Sequence, residues 1–329
     1  MNGHALVGEW REWWAAASWR QRWLPLAAGA GWLGTLGLAG RLNPSQLLLV
    51  GTALGLAYAG PRVRPLTRLL WPLLFMLMLY DGQRWWIEAG RGRVRVAELL
   101  EADLRWFGMT TGGETTTWPA WWQHHTHPVL DAISGVAYLG FVPGFLAMVF
   151  WWRFGLRLTP EASRAAAGEA EAAMWAFFLM YAAGFATYLI YPAAPPWYVN
   201  HYGLGPAVLT APPEAAGAVR FDRLIGWPVF ARYYGQSTNV FGAFPSLHCA
   251  LPMLGLCYAL RLRSLRVAGA LLLTAMAFAA VYLNHHYVVD VVGGFIYALA
   301  TFALVESTRG WRRRRAVSFS STQSLSSNR

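Results

Sequence analysis

Three segments place ionisable or conformationally restricted residues where a phosphate ester can be handled. The first, Phe241-Gly-Ala-Phe-Pro-Ser-Leu-His248, leads into a long apolar stretch. Pro245 suits a helix start and Ser246 an N-cap, which puts His248 in the first turn of the helix that follows. A helix N-terminus there presents free N–H groups and a partial positive charge, both favourable to phosphate. Taken alone, the same residues also fit a plain capping sequence with a histidine at the membrane boundary.

The second segment, Tyr282-Leu-Asn-His-His-Tyr-Val-Val-Asp290, opens another apolar stretch. His286 and Asp290 are four apart, so on a helix they share a face and the carboxylate can hold the imidazole. That pairing fixes the tautomer and makes the other ring nitrogen more nucleophilic. A buried polar pair serving only packing is the alternative. An Asp near the middle of a span costs about 3 kcal/mol by insertion scales, which favours a function. In the third segment, Tyr191-Pro-Ala-Ala-Pro-Pro-Trp-Tyr198, prolines stop a helix and hold an extended stretch, while Trp197 and Tyr198 suit a headgroup interface.

Membrane helices must carry these segments. Of 329 residues, 56% are hydrophobic and 13% charged, with a net charge of +11, whereas soluble domains are about 25% charged. Nineteen Trp beside two Cys exclude disorder, a collagen-like fibre and a disulfide-stapled fold. Cys249 and Cys257, eight apart on a helix, would sit about 12 Å apart along its axis, beyond disulfide reach. All 27 basic residues are Arg, spread between apolar runs instead of forming one stripe, so no nucleic-acid partner is expected.

Apolar runs at about 23–40, 45–60, 66–82, 129–152, 173–192, 247–262, 266–284 and 288–307 predict an all-α polytopic membrane bundle of about eight spans. With the N-terminus inside, 18 of the 27 Arg fall on inner segments, including every cluster beside a short loop. The positive-inside rule then gives an N-in, C-in arrangement. Four regions follow: an interfacial segment 1–22 bearing Trp10, Trp13 and Trp14; three spans with their outer connection, 23–128; a catalytic membrane core, 129–308; and a basic, Ser-rich disordered tail, 309–329.

His248 and His286 are 38 residues apart, which two spans of about 19 residues fill. Both histidines therefore lie on one membrane face, the outer one by the charge rule, each in the first turn of a span. Two His and one Asp beneath converging helix N-termini point to phosphoryl-type transfer. His286 would attack phosphorus, with Asp290 orienting it and offsetting its charge, while His248 exchanges a proton with the departing and incoming oxygens. A zinc hydrolase ligated by His248, His285, His286 and Asp290 is the rival, although two adjacent His rarely serve one ion from a helix. No metal or cofactor is expected.

Asp131, in His127-Pro-Val-Leu-Asp131 at the start of the fourth span, can bind headgroup hydroxyls, orient His248, or simply favour a helix N-terminus. Asp81 and Arg84 form a similar boundary pair. His124, His125 and His127 lie in a Trp-rich outer segment suited to the interface or to substrate contact.

At these residues the chain resembles the lipid phosphate phosphatase and phosphotransferase superfamily, whose motifs are Lys-x6-Arg-Pro, Pro-Ser-Gly-His and Ser-Arg-x5-His-x3-Asp. Here the second becomes Pro245-Ser246-Leu247-His248 and the third keeps His286-x3-Asp290, with Ala279 and Ala280 where Ser-Arg would stand. The Lys motif cannot exist in a chain without Lys. Phe-Pro-Ser-Leu-His, His-His-Tyr-x-x-Asp and Ala-Pro-Pro-Trp-Tyr resemble the inositol phosphorylceramide synthases of fungi and their bacterial relatives, best over 173–300. The resemblance implies a catalytic triad of His286, His248 and Asp290. It also implies metal-independent transfer of phosphoinositol from phosphatidylinositol to ceramide, with release of diacylglycerol.

The absent cations favour a singly charged phosphodiester donor over a doubly charged phosphomonoester. Arg220, Arg223 and Arg232 lie in the outer connection before Phe241, and at least one is expected to fold into the site. Substrate-binding candidates are Asp131, Arg223, Arg232, Trp197, Tyr198 and His285. The expected partners are the two lipids and the bilayer, with no obligate protein partner. The expected location is a bacterial inner membrane, with the site on the periplasmic face. A lipid phosphate phosphatase, a sphingomyelin-synthase-like transferase and a non-catalytic transporter remain as alternatives.

Overall fold

The structure, a computed structural model, describes the backbone of residues 3–90, 94–156, 159–237 and 239–326, and the side chains of 7–83, 94–156, 159–237 and 239–311. It divides into two units, Met1–Gly82 and Gln83–Arg329.

The first unit holds α1 (Gly3–Ala16), α2 (Trp19–Leu38), α3 (Pro44–Tyr58) and most of α4 (Arg64–Gly90). Ser18 and Gln21 form a capping box that starts α2, and Asn43 caps α3. The Trp10 indole donates to the Tyr58 carbonyl at 2.7 Å, fixing α1 to the end of α3. Asp81 of α4 accepts from the side chains of Gln46 and Asn43, so its carboxylate is a polar tie within this unit. The Arg84 side chain lies outside the described residues.

The second unit begins with α5 (Glu98–Phe107), the hairpin of β1 (Met109–Thr111) and β2 (Glu114–Thr116), and α6 (Trp118–His124). Two long helices follow, α7 (Pro128–Phe150) and α8 (Pro160–Ile190), then the short helices α9 (Pro196–Tyr202), α10 (Val219–Ile225) and α11 (Val229–Tyr234). It closes with α12 (Leu247–Leu262), α13 (Arg266–Tyr282) and α14 (Val288–Ser326). Helix α12 is central, packed on α7, α8, α13 and α14. Val129, Ile133 and Val136 form an exposed apolar stripe on α7, and Ile296, Leu299 and Leu304 do so on α14. Apolar side chains facing outward from an already packed core identify an integral membrane protein.

All eight apolar runs fall on helices, but the predicted count of eight spans is not reproduced by length and composition. Among the described residues, four helical segments are long and apolar enough to cross a membrane: Pro61–Gln83, Pro128–Gly155, Pro160–Ile190 and Val288–Trp311. Helices α3, α12 and α13 are apolar but have 15, 16 and 17 residues, hence about 22–26 Å against a hydrocarbon core of about 30 Å. The segment before residue 128 packs with α13 and α14, through Gln123 and Asp103. The backbone of α14 stays helical to Ser326, where a disordered tail from 309 is expected from the sequence.

At the end of the bundle away from the histidines, Glu169 of α8 accepts from Arg261 of α12 at 2.8 Å and from Arg309 of α14 at 2.7 Å. Glu306 joins the same two arginines at 2.7 and 2.5 Å. Three helices are thereby tied by one charge-balanced cluster, and removing one member strands a partly buried charge. Glu169→Gln is expected to destabilise the fold by about 3 kcal/mol, read as a lower midpoint of thermal unfolding in detergent.

Candidate active site

Ser246 caps α12 as predicted, its hydroxyl accepting from the Cys249 N–H at 3.4 Å, and His248 falls in the first turn. The chain leaves along α12 and returns along α13, bringing His286 back to the same end. His248 Nδ1 lies 3.1 Å from His286 Nε2. His286 Nδ1 donates to the Ala243 carbonyl at 3.0 Å. A carbonyl only accepts, so Nδ1 carries the proton, Nε2 keeps its lone pair, and His248 Nδ1–H donates to it. Burial pushes His286 down to about 4, so the imidazole is neutral at physiological pH.

Asp290 Oδ2 sits 3.5 Å from His286 Nδ1, beside the Ala243 bond. The sequence expectation that the two share a helical face is corrected here, because His286 precedes α14. Asp290, the third residue of that helix, turns its carboxylate back onto the Tyr287 N–H at 2.8 Å. The pair is therefore made by an N-terminal capping turn, which puts the imidazole beyond the helix end instead of against its side.

Close backbone approach holds the two halves together. A Cβ at Gly294 would lie 2.3 Å from the Ser246 carbonyl oxygen, and one at Gly293 would lie 2.4 Å from the Phe244 ring. Glycine at both positions lets α14 touch the start of α12, where Ser246 N–H donates to the Asp290 carbonyl at 2.9 Å. Tyr188 of α8 adds a bond to the Pro245 carbonyl at 2.8 Å.

The Tyr191–Tyr198 segment is a strap behind both histidine loops. Ala193 N–H donates to Phe241 and Ala243 N–H to Ala193, at 2.8 and 3.3 Å, while Trp197 N–H donates to Asn284 at 3.1 Å. On its other side Ala194 N–H donates to Arg95 at 2.9 Å. Trp197 and Tyr198 are buried, and the Tyr198 hydroxyl accepts from the Val208 N–H at 2.7 Å. Both side chains pack with Val96, Ala194, Ala211 and Phe241 and so brace the strap.

Among the other candidates, Asp131 is committed to Arg220, whose Nε donates at 2.6 Å, and to the Tyr282 hydroxyl at 2.9 Å. Arg220 also bonds Gln123 and the Tyr282 carbonyl. Of Arg220, Arg223 and Arg232, Arg220 is the one folded in. Arg223 and Arg232 are exposed, because the short helices α10 and α11 turn Phe221, Asp222 and Phe230 inward instead. His125 stacks on Trp121 at 3.8 Å and His127 caps α7. His124, like His125, is exposed. His285 is buried beside the His248–His286 pair, stacked on Tyr234 at 4.7 Å and 5.3 Å from the Tyr138 ring, which itself lies 4.8 Å from His248. His285 Nε2 and the Tyr138 hydroxyl are buried without a protein partner. Among the described residues, no three His, Cys, Asp or Glu side chains converge as a metal-ligand set.

Sequence reasoning missed Asp103 of α5, which is fully buried and accepts from the Val289 N–H at 3.0 Å. Burial, opposed by that bond and aided by nearby Asp290, pushes its carboxyl up to about 6. The available signal was an Asp on the apolar face of an amphipathic helix, alongside Leu99 and Leu100.

A family model described as the PAP2 superfamily matches residues 114–304, a stretch that contains both histidines, Asp290 and the strap. The chain belongs to the PAP2 superfamily. The phosphoinositol dihydroceramide synthase of Bacteroides thetaiotaomicron is 33% identical over 278 residues, 82% of this chain and 88% of that protein. The inositol phosphorylceramide synthase catalytic subunit of Schizosaccharomyces pombe is 28% identical over 252 residues, 73% of this chain and 52% of the relative. The Candida albicans inositol phosphorylceramide synthase is 37% identical over 132 residues, 39% of this chain and 27% of that protein. These fungal relatives extend well beyond the aligned region. With relatives named as synthases along most of its length, the protein is an enzyme. No solved structure was found to match the chain.

Proposed function

We propose that the protein moves phosphoinositol from phosphatidylinositol to the primary hydroxyl of a ceramide, through a phosphohistidine on His286. The observation that carries this reading is the 3.1 Å approach of His248 to the free lone pair of His286, whose other nitrogen is held by Ala243 and Asp290. The names of the relatives support the substrate pair: phosphoinositol and dihydroceramide in one, inositol phosphorylceramide in the others.

As the His286 Nε2–P bond forms, the bond from phosphorus to the diacylglycerol oxygen breaks, and His248 supplies that oxygen with a proton. The ceramide hydroxyl then gives its proton to His248, its oxygen attacks phosphorus, and His286 is released. Asp290 offsets the charge on the imidazole while phosphorus is attached. The donor phosphorus enters between the two rings, which separate to admit it. No metal takes part in either step. The eight runs cross the membrane in an N-in, C-in arrangement, with α12 and α13 as a short return that sets both histidines on the periplasmic face of a bacterial inner membrane.

His285 Nε2 and the Tyr138 hydroxyl support a hydroxylated headgroup, because a substrate O–H satisfies both an acceptor and a donor left without partners. Tyr138→Phe and His285→Phe are each expected to raise KM for phosphatidylinositol about 5- to 10-fold with little change in kcat, the worth of one neutral hydrogen bond. The reading itself is tested by incubating the detergent-purified protein with phosphatidylinositol and labelled ceramide in the presence of chelator. Labelled inositol phosphorylceramide with diacylglycerol is the expected result. Free inositol phosphate with unchanged ceramide would show that water is the acceptor.

A further inference from the structure

The start of α14 lacks a capping side chain at its N-cap position. Tyr287 occupies the position where Ser, Thr, Asp or Asn normally accepts the first free N–H groups. Two carboxylates do this work instead. Asp290 Oδ2 takes the Tyr287 N–H at 2.8 Å, and Asp103 Oδ1 takes the Val289 N–H at 3.0 Å from 186 residues away in sequence.

We propose that Asp103 is a positioning residue for the transfer reaction, seating the start of α14 so that His286 and Asp290 keep their attack geometry and setting the charge beside Asp290. This rests on the phosphohistidine reading above. Asp103 is fully buried, and Leu99 of the same helix packs with Ala193, Ala243, Tyr287 and Val289. That cluster includes the residue whose carbonyl holds His286 Nδ1, so α5 braces both sides of the nucleophile. A helix placed only for packing would carry an apolar residue at 103, because burying a carboxylate is costly. Asp103 Oδ2 and Asp290 Oδ1 are both buried without a partner, two spare oxygens on like-charged groups at one positive helix end. The titratable groups that face Asp103 are Asp290 and Tyr287, and Tyr191 of the strap packs against the same cluster.

Two variants test the role in the full-length enzyme. Asp103→Ala loses the bond to Val289 and is expected to lower kcat on the order of 10- to 100-fold, with KM for both lipids within about twofold, as befits a displaced nucleophile. Asp103→Asn keeps an oxygen that accepts from Val289. It should retain kcat within about threefold and shift the acid limb of kcat to lower pH, since a like charge beside Asp290 is gone. Thermal unfolding gives a second readout. The folded protein holds Asp103 at about 6 against an ordinary 3.8. The stability it contributes is therefore fully present below 3.8 and is lost as pH rises through 6. Asp103→Asn should raise the melting temperature at pH 8 and leave it unchanged below pH 4. Equal impairment of the Ala and Asn variants, or wild-type kcat in the Ala variant, would overturn the proposal. Transfer that persisted in His286→Ala would defeat the phosphohistidine reading instead, and leaves the Ala-versus-Asn contrast to be read independently.

Discussion

His286→Ala is expected to abolish headgroup transfer, with kcat down by about 10⁴-fold or more, because it removes the atom that becomes bonded to phosphorus. The surrounding geometry makes the loss specific. Ala243 and Asp290 hold only Nδ1, which leaves Nε2 facing His248. His248→Ala should behave differently. With the natural donor, its loss slows departure of the diacylglycerol oxygen, which leaves poorly without a proton. With a nitrophenyl phosphodiester, whose leaving group needs none, the variant should release close to one equivalent of nitrophenolate in a burst. It should then stall, because the incoming hydroxyl has no base. Neither a burst nor turnover would assign the two histidines the opposite way, with His248 as the nucleophile.

Gly294→Ala is expected to lower kcat by more than about 100-fold while the protein still folds, an effect as large as that of many chemically active groups. The added methyl would stand 2.3 Å from the Ser246 carbonyl oxygen, and a backbone atom cannot rotate aside as a flexible side chain can. Helices α12 and α14 must separate, and the 3.1 Å contact between His248 and His286 opens with them. The bond from Ser246 N–H to the Asp290 carbonyl is strained by the same movement. Kinetics on the purified variant, with circular dichroism to verify helix content, checks this. Wild-type turnover would mean that the histidines are positioned by something other than this contact.

Much of the site could be read in one dimension. The Ser246 cap, the return of the chain between His248 and His286, and their meeting at one end follow from helix length and capping chemistry alone. The pairing of His286 with Asp290 was also legible, but its geometry was not. Four-residue spacing implies a shared helical face only where the helix has already begun, and here Asp290 caps the turn that carries His286. Partners distant in sequence stayed hidden for a physical reason. Membrane helices are apolar nearly all round, so periodicity does not disclose which side faces inward. Nothing local shows that Glu169 meets Arg261 and Arg309, or that Asp103 reaches Val289. The choice among Arg220, Arg223 and Arg232 was equally tertiary: Arg220 is turned toward Asp131 by a seven-residue helix that leaves Arg223 exposed. The strap shows the same limit. Its prolines announced an extended segment, yet its work is done by the backbone of Ala193, Ala194 and Trp197, atoms that every sequence shares.

Passage through His286 requires two in-line displacements at phosphorus, one by imidazole and one by the ceramide hydroxyl. Direct attack of ceramide on the donor requires one. The stereochemical course therefore distinguishes them without any variant protein. A phosphatidylinositol analogue with one non-bridging oxygen replaced by sulfur, of a single configuration at phosphorus, can be offered to the wild-type enzyme with ceramide and the product configuration determined. Retention is the expected result, while inversion would show that no phosphohistidine forms between donor and product.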